Sequence, residues 1–225
     1  MSDPPHSRRR LLAAPERAAS ILTAAARLFA RQGYATTTVD QVAAEAGVSK
    51  IIVYRHFNSK RELYTAILAQ VRDRLEKVAT PTTPVSPDDA SAAIRQAVVT
   101  LGGTFAVARE LPDGFRLVHR HAPLEPEFAR EVAALGEGAV RAEALLATVA
   151  DPMIRGWMAR LISKTVDEAF LDWLDNGDPA RDDEMVERVA YLLAGMVGSV
   201  WAAARASGGE PGPPSSRPPR PAAGS

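Results

Sequence analysis

The chain has 225 residues, 46% hydrophobic and 24% charged, a balance able to bury a core in one domain or in a small domain joined to a larger one. It contains no cysteine, which excludes disulfides and thiolate metal sites and fits a cytoplasmic protein. No run of about 18 apolar residues suggests a membrane span, and the start, MSDPPHSRRRLL, lacks the apolar stretch of a signal peptide.

Net charge is zero, but it is unevenly spread. Residues 1–61 hold ten Lys and Arg against four Asp and Glu, whereas residues 62–225 hold seventeen against twenty-three. A basic first quarter on an acidic body points to a polyanionic partner at one end, although a merely solvated surface would carry the same charges.

Residues 1–14 read as a disordered arm and 207–225 as a disordered Pro/Gly-rich tail. Between them apolar residues recur at helical spacing and no strand-like alternation persists, so an all-α fold is expected. In the first helix, 15–32, Ile21, Leu22, Ala25, Leu28 and Phe29 form one stripe, and Gly33 ends it. Thr38-Val-Asp-Gln41 is a capping box for a helix from Val39 to Ala46. Gly47 then supplies a turn and Ser49 can cap a short helix. Ser59-Lys-Arg-Glu62 is a second capping box, opening a helix to Lys77.

TPTTPVSPDD (80–89) reads as a linker that ends in a helix start, with Ser86 as cap and Pro87 at the first helical position. Further helices are expected over 87–109, 112–120, 125–149, 152–175 and 179–205. The breaks fall at Leu111-Pro112, His121-Ala-Pro123, Asp151-Pro152 and Asn176-Gly-Asp-Pro179. That makes about nine helices, the first three packed close together.

Helix, glycine turn, short helix is the helix-turn-helix plan, and side-chain direction gives it content. At about 100° per residue with Val53 at zero, Phe57 lies at about 40°, so these two mark the buried side. Tyr54 then falls at about 100°, Ile51 at about 160°, Arg55 at about 200° and Ile52 at about 260°. The outward face carries a cation, a phenol and two aliphatic side chains, which suits a major groove. Arg can donate to guanine, Tyr54 and His56 to phosphates, and an isoleucine can pack on a thymine methyl. Alternatively one of the pair, Ile52 first, packs on a neighbouring helix.

Residues 16–65 resemble the DNA-binding domain of the TetR family of bacterial transcriptional regulators. The resemblance rests on ILTAAARLFARQGYATTTVDQVAAEAGVSK (21–50) and VYRHFNSKRELY (53–64). It implies that the first three helices bind DNA and that the rest form a ligand-binding and dimerisation body. By position, Thr38 contacts a phosphate at the start of the second helix. Lys50, Tyr54 and His56 hold the backbone around the recognition helix, beside Ser49 at its cap, and Lys60 reaches a phosphate from the fourth helix. Ile51 and Ile52 depart from the small residue followed by Thr or Ser that relatives often carry. Arg8, Arg9 and Arg10 could add minor-groove contacts.

The body offers no catalytic constellation, so no enzyme is expected. No serine sits in a nucleophile elbow and no glycine-rich phosphate loop follows a strand. His119-Arg-His121 near Glu125 and Glu127 is the cluster closest to a metal site, but helical side chains at i and i+2 do not share a face. No metal or cofactor is expected. By resemblance the candidate pocket lining is Leu101, Phe105 and Arg109 on one face of the fifth helix, Phe115 and His119 on the sixth, and Trp157 and Phe170 on the eighth. As plain core residues they would pattern the same way.

In the last helix Gly195, Gly198, Ser199, Ala202 and Ala203 would let another helix approach closely, and the resemblance makes the last two helices a dimer-forming pair. The domains expected are therefore a helix-turn-helix domain over 15–61 and a helical ligand-binding and dimerisation domain over 62–206. The function expected is a ligand-responsive homodimeric repressor on a near-palindromic operator. Its rival is a helical small-molecule-binding enzyme or carrier with an incidental N-terminal motif.

Overall fold

The computed structural model describes residues 14–78, 90–133, 135, 143, 146 and 149–207. The N-terminal arm up to residue 13, the linker with its Ser86 cap, most of the helix expected over 125–149, and the tail from residue 208 lie outside the described residues. Among the described residues there are nine α-helices and no strand. They are α1 (Ala14–Thr36), α2 (Val39–Glu45), α3 (Lys50–His56), α4 (Lys60–Val78), α5 (Ala90–Glu110), α6 (Pro112–Arg116), α7 (Ala129–Ala133), α8 (Pro152–Asn176) and α9 (Asp182–Ser207).

Two boundaries differ from expectation for identifiable reasons. Gly33 does interrupt α1, with φ 81 and ψ 171, a backbone that glycine adopts without steric cost. A Cβ there would meet nothing within 4 Å, so the demand is conformational, and the chain turns once more to Thr36 before stopping. The sixth helix widens after Arg116 into a π turn, Leu117–His121, and then tightens into 3-10 turns at Ala122–Leu124 and Pro126–Phe128. Pro123 and Pro126 carry no N–H to continue a helix ladder.

Three apolar clusters hold the helices. The first joins Ile21, Ala25, Leu28 and Phe29 of α1 to Val39 and Val42 of α2, Val53 of α3 and Leu63, Tyr64 and Ile67 of α4. It also takes in Leu117, Val118 and Phe128, so the segment around α6 packs against α1 and α4. Each large side chain buried this way stabilises by about 1.5–3 kcal/mol.

The second cluster packs Leu101 and Phe105 of α5 and Phe115 of α6 against Phe170 and Leu171 of α8 and Met185, Val186 and Val189 of α9. The third packs Ala159 and Ile162 of α8 on Val197 and Trp201 of α9. Pro179–Ala203 reaches a mean hydropathy of 1.2 and is long and apolar enough to cross a membrane, with 33% of that window buried here. α9 meets that criterion by length and composition only, as the core helix of a packed helical body also does, so it does not conflict with the expectation from sequence. Its buried side runs antiparallel to α5, where Gly102 lies beside Val186 and Arg109 beside Asp182.

Candidate nucleic-acid interface and ligand-binding body

The turn before α3 is built from backbone bonds. Val48 N–H donates to Ala43 O at 2.9 Å and Gly47 N–H to Ala44 O at 3.1 Å, the double closure of a Schellman motif. Gly47 takes φ 64 to make it. At the other end of α2 the Thr38 hydroxyl accepts from Gln41 N–H at 3.3 Å, while the Gln41 side chain accepts from Thr38 N–H at 2.9 Å. This reciprocal box fixes the entry of α2.

The other two expected caps are only partly made. Ser49 stands at the N-cap of α3, but its side chain makes no cap bond; its carbonyl instead accepts from Ile52 N–H at 2.9 Å. Ser59 accepts from Glu62 N–H at 3.1 Å. The Glu62 carboxylate, however, accepts from both the backbone and side-chain amides of Asn58, at 2.6 and 2.9 Å. Asn58 offers two donors where Ser59 would offer one, so the box closes one residue early.

Val53 of α3 is buried, as is Phe57 just past the helix end in an extended conformation, and Ile52 is half-buried against the first cluster. Ile51 stays 68% exposed and Tyr54 44% exposed, with Arg55 exposed and His56 half-buried. The isoleucine pair is therefore divided between packing and solvent. Lys50 donates to Asp40 Oδ2 at 2.9 Å, and this hydrogen bond, with the attraction of the carboxylate, raises the ammonium pKa. The pair ties α3 to α2 at the surface, where such pairs contribute little stability.

Lys60 does not point outward. Its Nζ donates to Tyr34 O at 2.9 Å and Ala35 O at 3.4 Å, and lies 4.3 Å from the centre of the Tyr34 ring. It satisfies carbonyls at the end of α1, a role its position at the start of a helix did not suggest.

Tyr34 begins an aromatic joint between this head and the body. Its ring meets Tyr64 edge-on at 5.0 Å and Phe128 at 4.9 Å, while Tyr64 stacks on Phe128 at 4.1 Å. Arg61 lies 4.8 Å from the Phe128 ring centre and donates to Glu127 Oε2 at 2.9 Å. Tyr64 is fully buried and its hydroxyl has no hydrogen-bond partner. Burial, with Glu125 and Glu127 nearby, pushes its phenol well above the usual range.

In the body, Leu101, Phe105, Phe115 and Phe170 do come together in the second cluster, with Phe105 and Phe170 ring centres 5.0 Å apart. Arg109 lies beside them but is engaged: it donates to Asp182 from Nε at 2.8 Å and from the terminal nitrogen at 2.7 Å. Trp173 Nε1 donates to the same carboxylate at 2.9 Å. The Arg109 hydrogen bond holds the Asp182 carboxyl below its usual range and outweighs the upward push of burial.

His119, inside the π turn, packs its ring 4.2 Å from that of Phe115. Its Nδ1 stands 3.3 Å from Asp167 Oδ2, and its Nε2 is buried without a partner. Trp157 is 53% exposed and does not join this group. A separate surface groove of about 320 Å³ is lined by Thr65, Ala69 and Arg72 of α4 and by Glu131; none of the pocket candidates borders it.

Residues 21–67 match the sequence profile of the bacterial regulatory proteins of the tetR family. Over 190 residues the chain is 30% identical to the HTH-type transcriptional activator FasR of Mycolicibacterium smegmatis, spanning 82% of this chain and 84% of that protein. The chain belongs to the TetR family of bacterial transcriptional regulators.

The TetR fold extends through the body. A tetR-family regulator from Streptomyces coelicolor superposes with a TM-score of 0.59 at 22% identity, covering 90% of this chain and 94% of that one. The structure of AibR in complex with isovaleryl coenzyme A and operator DNA superposes with a TM-score of 0.53 at 20% identity, covering 80% and 97%. The Mycolicibacterium and Streptomyces proteins are named as a transcriptional activator and a transcriptional regulator.

On the last two helices of this TetR protein, the small-residue face is open. Gly195, Ser199, Ala202 and Ala203 are exposed and Gly198 is half-buried, and a Cβ on either glycine would meet nothing within 4 Å. Tyr191 and Leu192 extend this face on α9. Met153, Ile154, Trp157 and Leu161 form an exposed apolar strip on α8. Sequence reasoning missed that strip because it sought small residues rather than large exposed ones. It missed Asp182, Trp173 and Asp167 because nothing local names their partners.

Proposed function

We propose that this regulator acts as a homodimer whose two α3 helices read a near-palindromic DNA operator, and that a small molecule in the body changes its affinity for DNA. The observation that carries the reading is the division of α3. Val53 and Phe57 anchor it while Ile51, Tyr54 and Arg55 share the solvent face. Thr38, Ser49, Lys50, Tyr54 and His56 surround that face as phosphate-contacting groups, and the Arg8–Arg10 arm adds minor-groove contacts. Lys60 supports the interface by holding the end of α1. DNA binding puts its work in the cytoplasm.

The exposed apolar strip of α8 and the open glycine face of α9 support a four-helix interface across a two-fold axis. Such a dimer sets two recognition helices about 34 Å apart, one turn of DNA. For the effector, AibR with isovaleryl coenzyme A and operator DNA is a precedent in this fold. Here the polar handle is His119 Nε2, buried and unpartnered beside Phe115, since Arg109 is held by Asp182. The effector is then largely apolar with one hydrogen-bonding group. It switches DNA binding only through different affinities for two conformations of the protein.

We read the action as repression by occupancy of the operator, although the Mycolicibacterium relative is named an activator. The test is a gel-shift of the full chain on DNA flanking its own gene. It is run with and without an excess of unrelated duplex, and repeated with a panel of apolar acids and acyl thioesters. Binding that resists the competitor and is released by one of these compounds is the expected result. Binding that the competitor abolishes would overturn the operator reading, and a compound that binds without releasing DNA would overturn the switch. A reporter at the adjacent promoter, with and without the gene, gives the sign.

A further inference from the structure

We infer that Ile51 reads a thymine 5-methyl group in each half-site, and that Arg55, one turn along the same face, reads a guanine within about two base pairs of it. This rests on α3 being the helix that enters the major groove. An isolated exposed apolar residue normally needs no explanation. Ile51 differs because its neighbours leave it no other role. Ile52 is packed against the first cluster and Val53 is fully buried, so α3 is already anchored. Ile51, 68% exposed, contributes little to that anchoring.

The chemistry of the face points to one base. Thymine's methyl is the apolar group that a base pair presents in the major groove. A β-branched side chain is stiff at χ1 in a helix, so Ile51 meets that methyl already ordered. Lys50 is held by Asp40 at the edge of the face, where its assigned contact is a phosphate, whereas Arg55 is exposed and forms no ion pair among the described residues, leaving its guanidinium for a guanine edge. Four residues of helix advance about 6 Å, against about 3.4 Å per base pair. The thymine and the guanine are therefore one or two base pairs apart.

The experiment selects duplexes from a pool with a random core, using the full wild-type chain, and then replaces each thymine of the enriched duplex by uracil, which lacks the methyl. Affinities are read by fluorescence anisotropy for wild type and for Ile51→Ala. Ile51→Ala should melt as the wild type does. At one thymine per half-site, uracil should weaken wild-type binding by about three- to tenfold, the lower range for a base contact. The same replacement should be nearly silent in Ile51→Ala. Arg55→Ala should lose the preference for guanine within two base pairs of that thymine.

Uracil tolerated at every position, or a uracil effect undiminished in Ile51→Ala, overturns the assignment of Ile51 and leaves the DNA-binding reading standing. An unchanged guanine preference in Arg55→Ala overturns the assignment of Arg55 in the same way. A pool from which no duplex is enriched overturns both the inference and the reading beneath it.

Discussion

Tyr64→Phe removes one oxygen from the joint between the DNA-binding head and the body. Tyr64 is fully buried, stacked 4.1 Å from Phe128 and edge-on to Phe29 at 5.1 Å, and its hydroxyl has no partner. An unsatisfied buried hydroxyl costs about 1–3 kcal/mol, because the hydrogen bonds it made to water are not replaced. Phenylalanine keeps the ring and both aromatic contacts and sheds that cost, less a little dispersion lost with the oxygen. The variant should gain about 1 kcal/mol, which in a protein of this size raises the melting temperature by about 2–4 °C. Tyr64→Ala, which loses the ring, should cost about 3–5 kcal/mol. Urea and thermal melts followed by circular dichroism measure both, at fixed protein concentration because the stability of the proposed dimer depends on it. A loss of 1 kcal/mol or more in Tyr64→Phe would refute the reasoning. It would mean the hydroxyl is bonded in solution, to a buried water or to Glu125 or Glu127.

Three further predictions concern the contacts that assemble the protein. Arg109 holds the Asp182 carboxyl below its usual value of about 3.9, so this pair stabilises the fold above about pH 4 and stops doing so as pH falls through the lower folded value. Asp182→Asn should therefore lower stability at pH 7 and flatten the acid limb of a pH series of melts; an unchanged acid limb would show that the pair does not govern it. Lys60→Ala should cost about 1 kcal/mol through the uncapped carbonyls of Tyr34 and Ala35 and weaken DNA binding evenly across sequences; altered sequence preference would count against this role. Trp157→Glu with Leu192→Asp should give monomers in sedimentation at micromolar concentration while keeping helical content, since both side chains are exposed within one chain. A variant that remains a dimer would move the interface elsewhere.

The helices were legible because burial on one side imposes a period. Taking Val53 and Phe57 as the inner side of α3 correctly sets Ile51, Tyr54 and Arg55 outside. Gly47 was legible for an equally local reason, since the turn requires positive φ. Periodicity says which side of a helix is covered but not what covers it. Nothing near Arg109 names Asp182, 73 residues away, and nothing near Lys60 names the carbonyls at the end of α1. Caps lie between these limits. Thr38 and Gln41 close as written, whereas Glu62 turns to Asn58, a competition between adjacent donors that a spacing rule does not rank. Leu101, Phe105, Phe115 and Phe170, set together by the resemblance as candidate pocket lining, pack in one cluster because each is large and apolar. Trp157, placed with them from sequence, has the same chemistry and lies apart at the surface.

The central claim, two α3 helices held one turn of DNA apart by a dimer, is tested most directly by changing the spacing of the operator halves. The selected duplex is titrated with the full chain as isolated, and again after five base pairs are inserted at its centre. The insertion moves one half-site to the opposite face of the double helix, about half a turn of 10–10.5 base pairs. The account predicts two protomers per original duplex and a loss of well over tenfold on insertion, because the second half-site no longer binds as part of the same complex. Equal affinity for both duplexes, or saturation at one protomer per duplex, would contradict it.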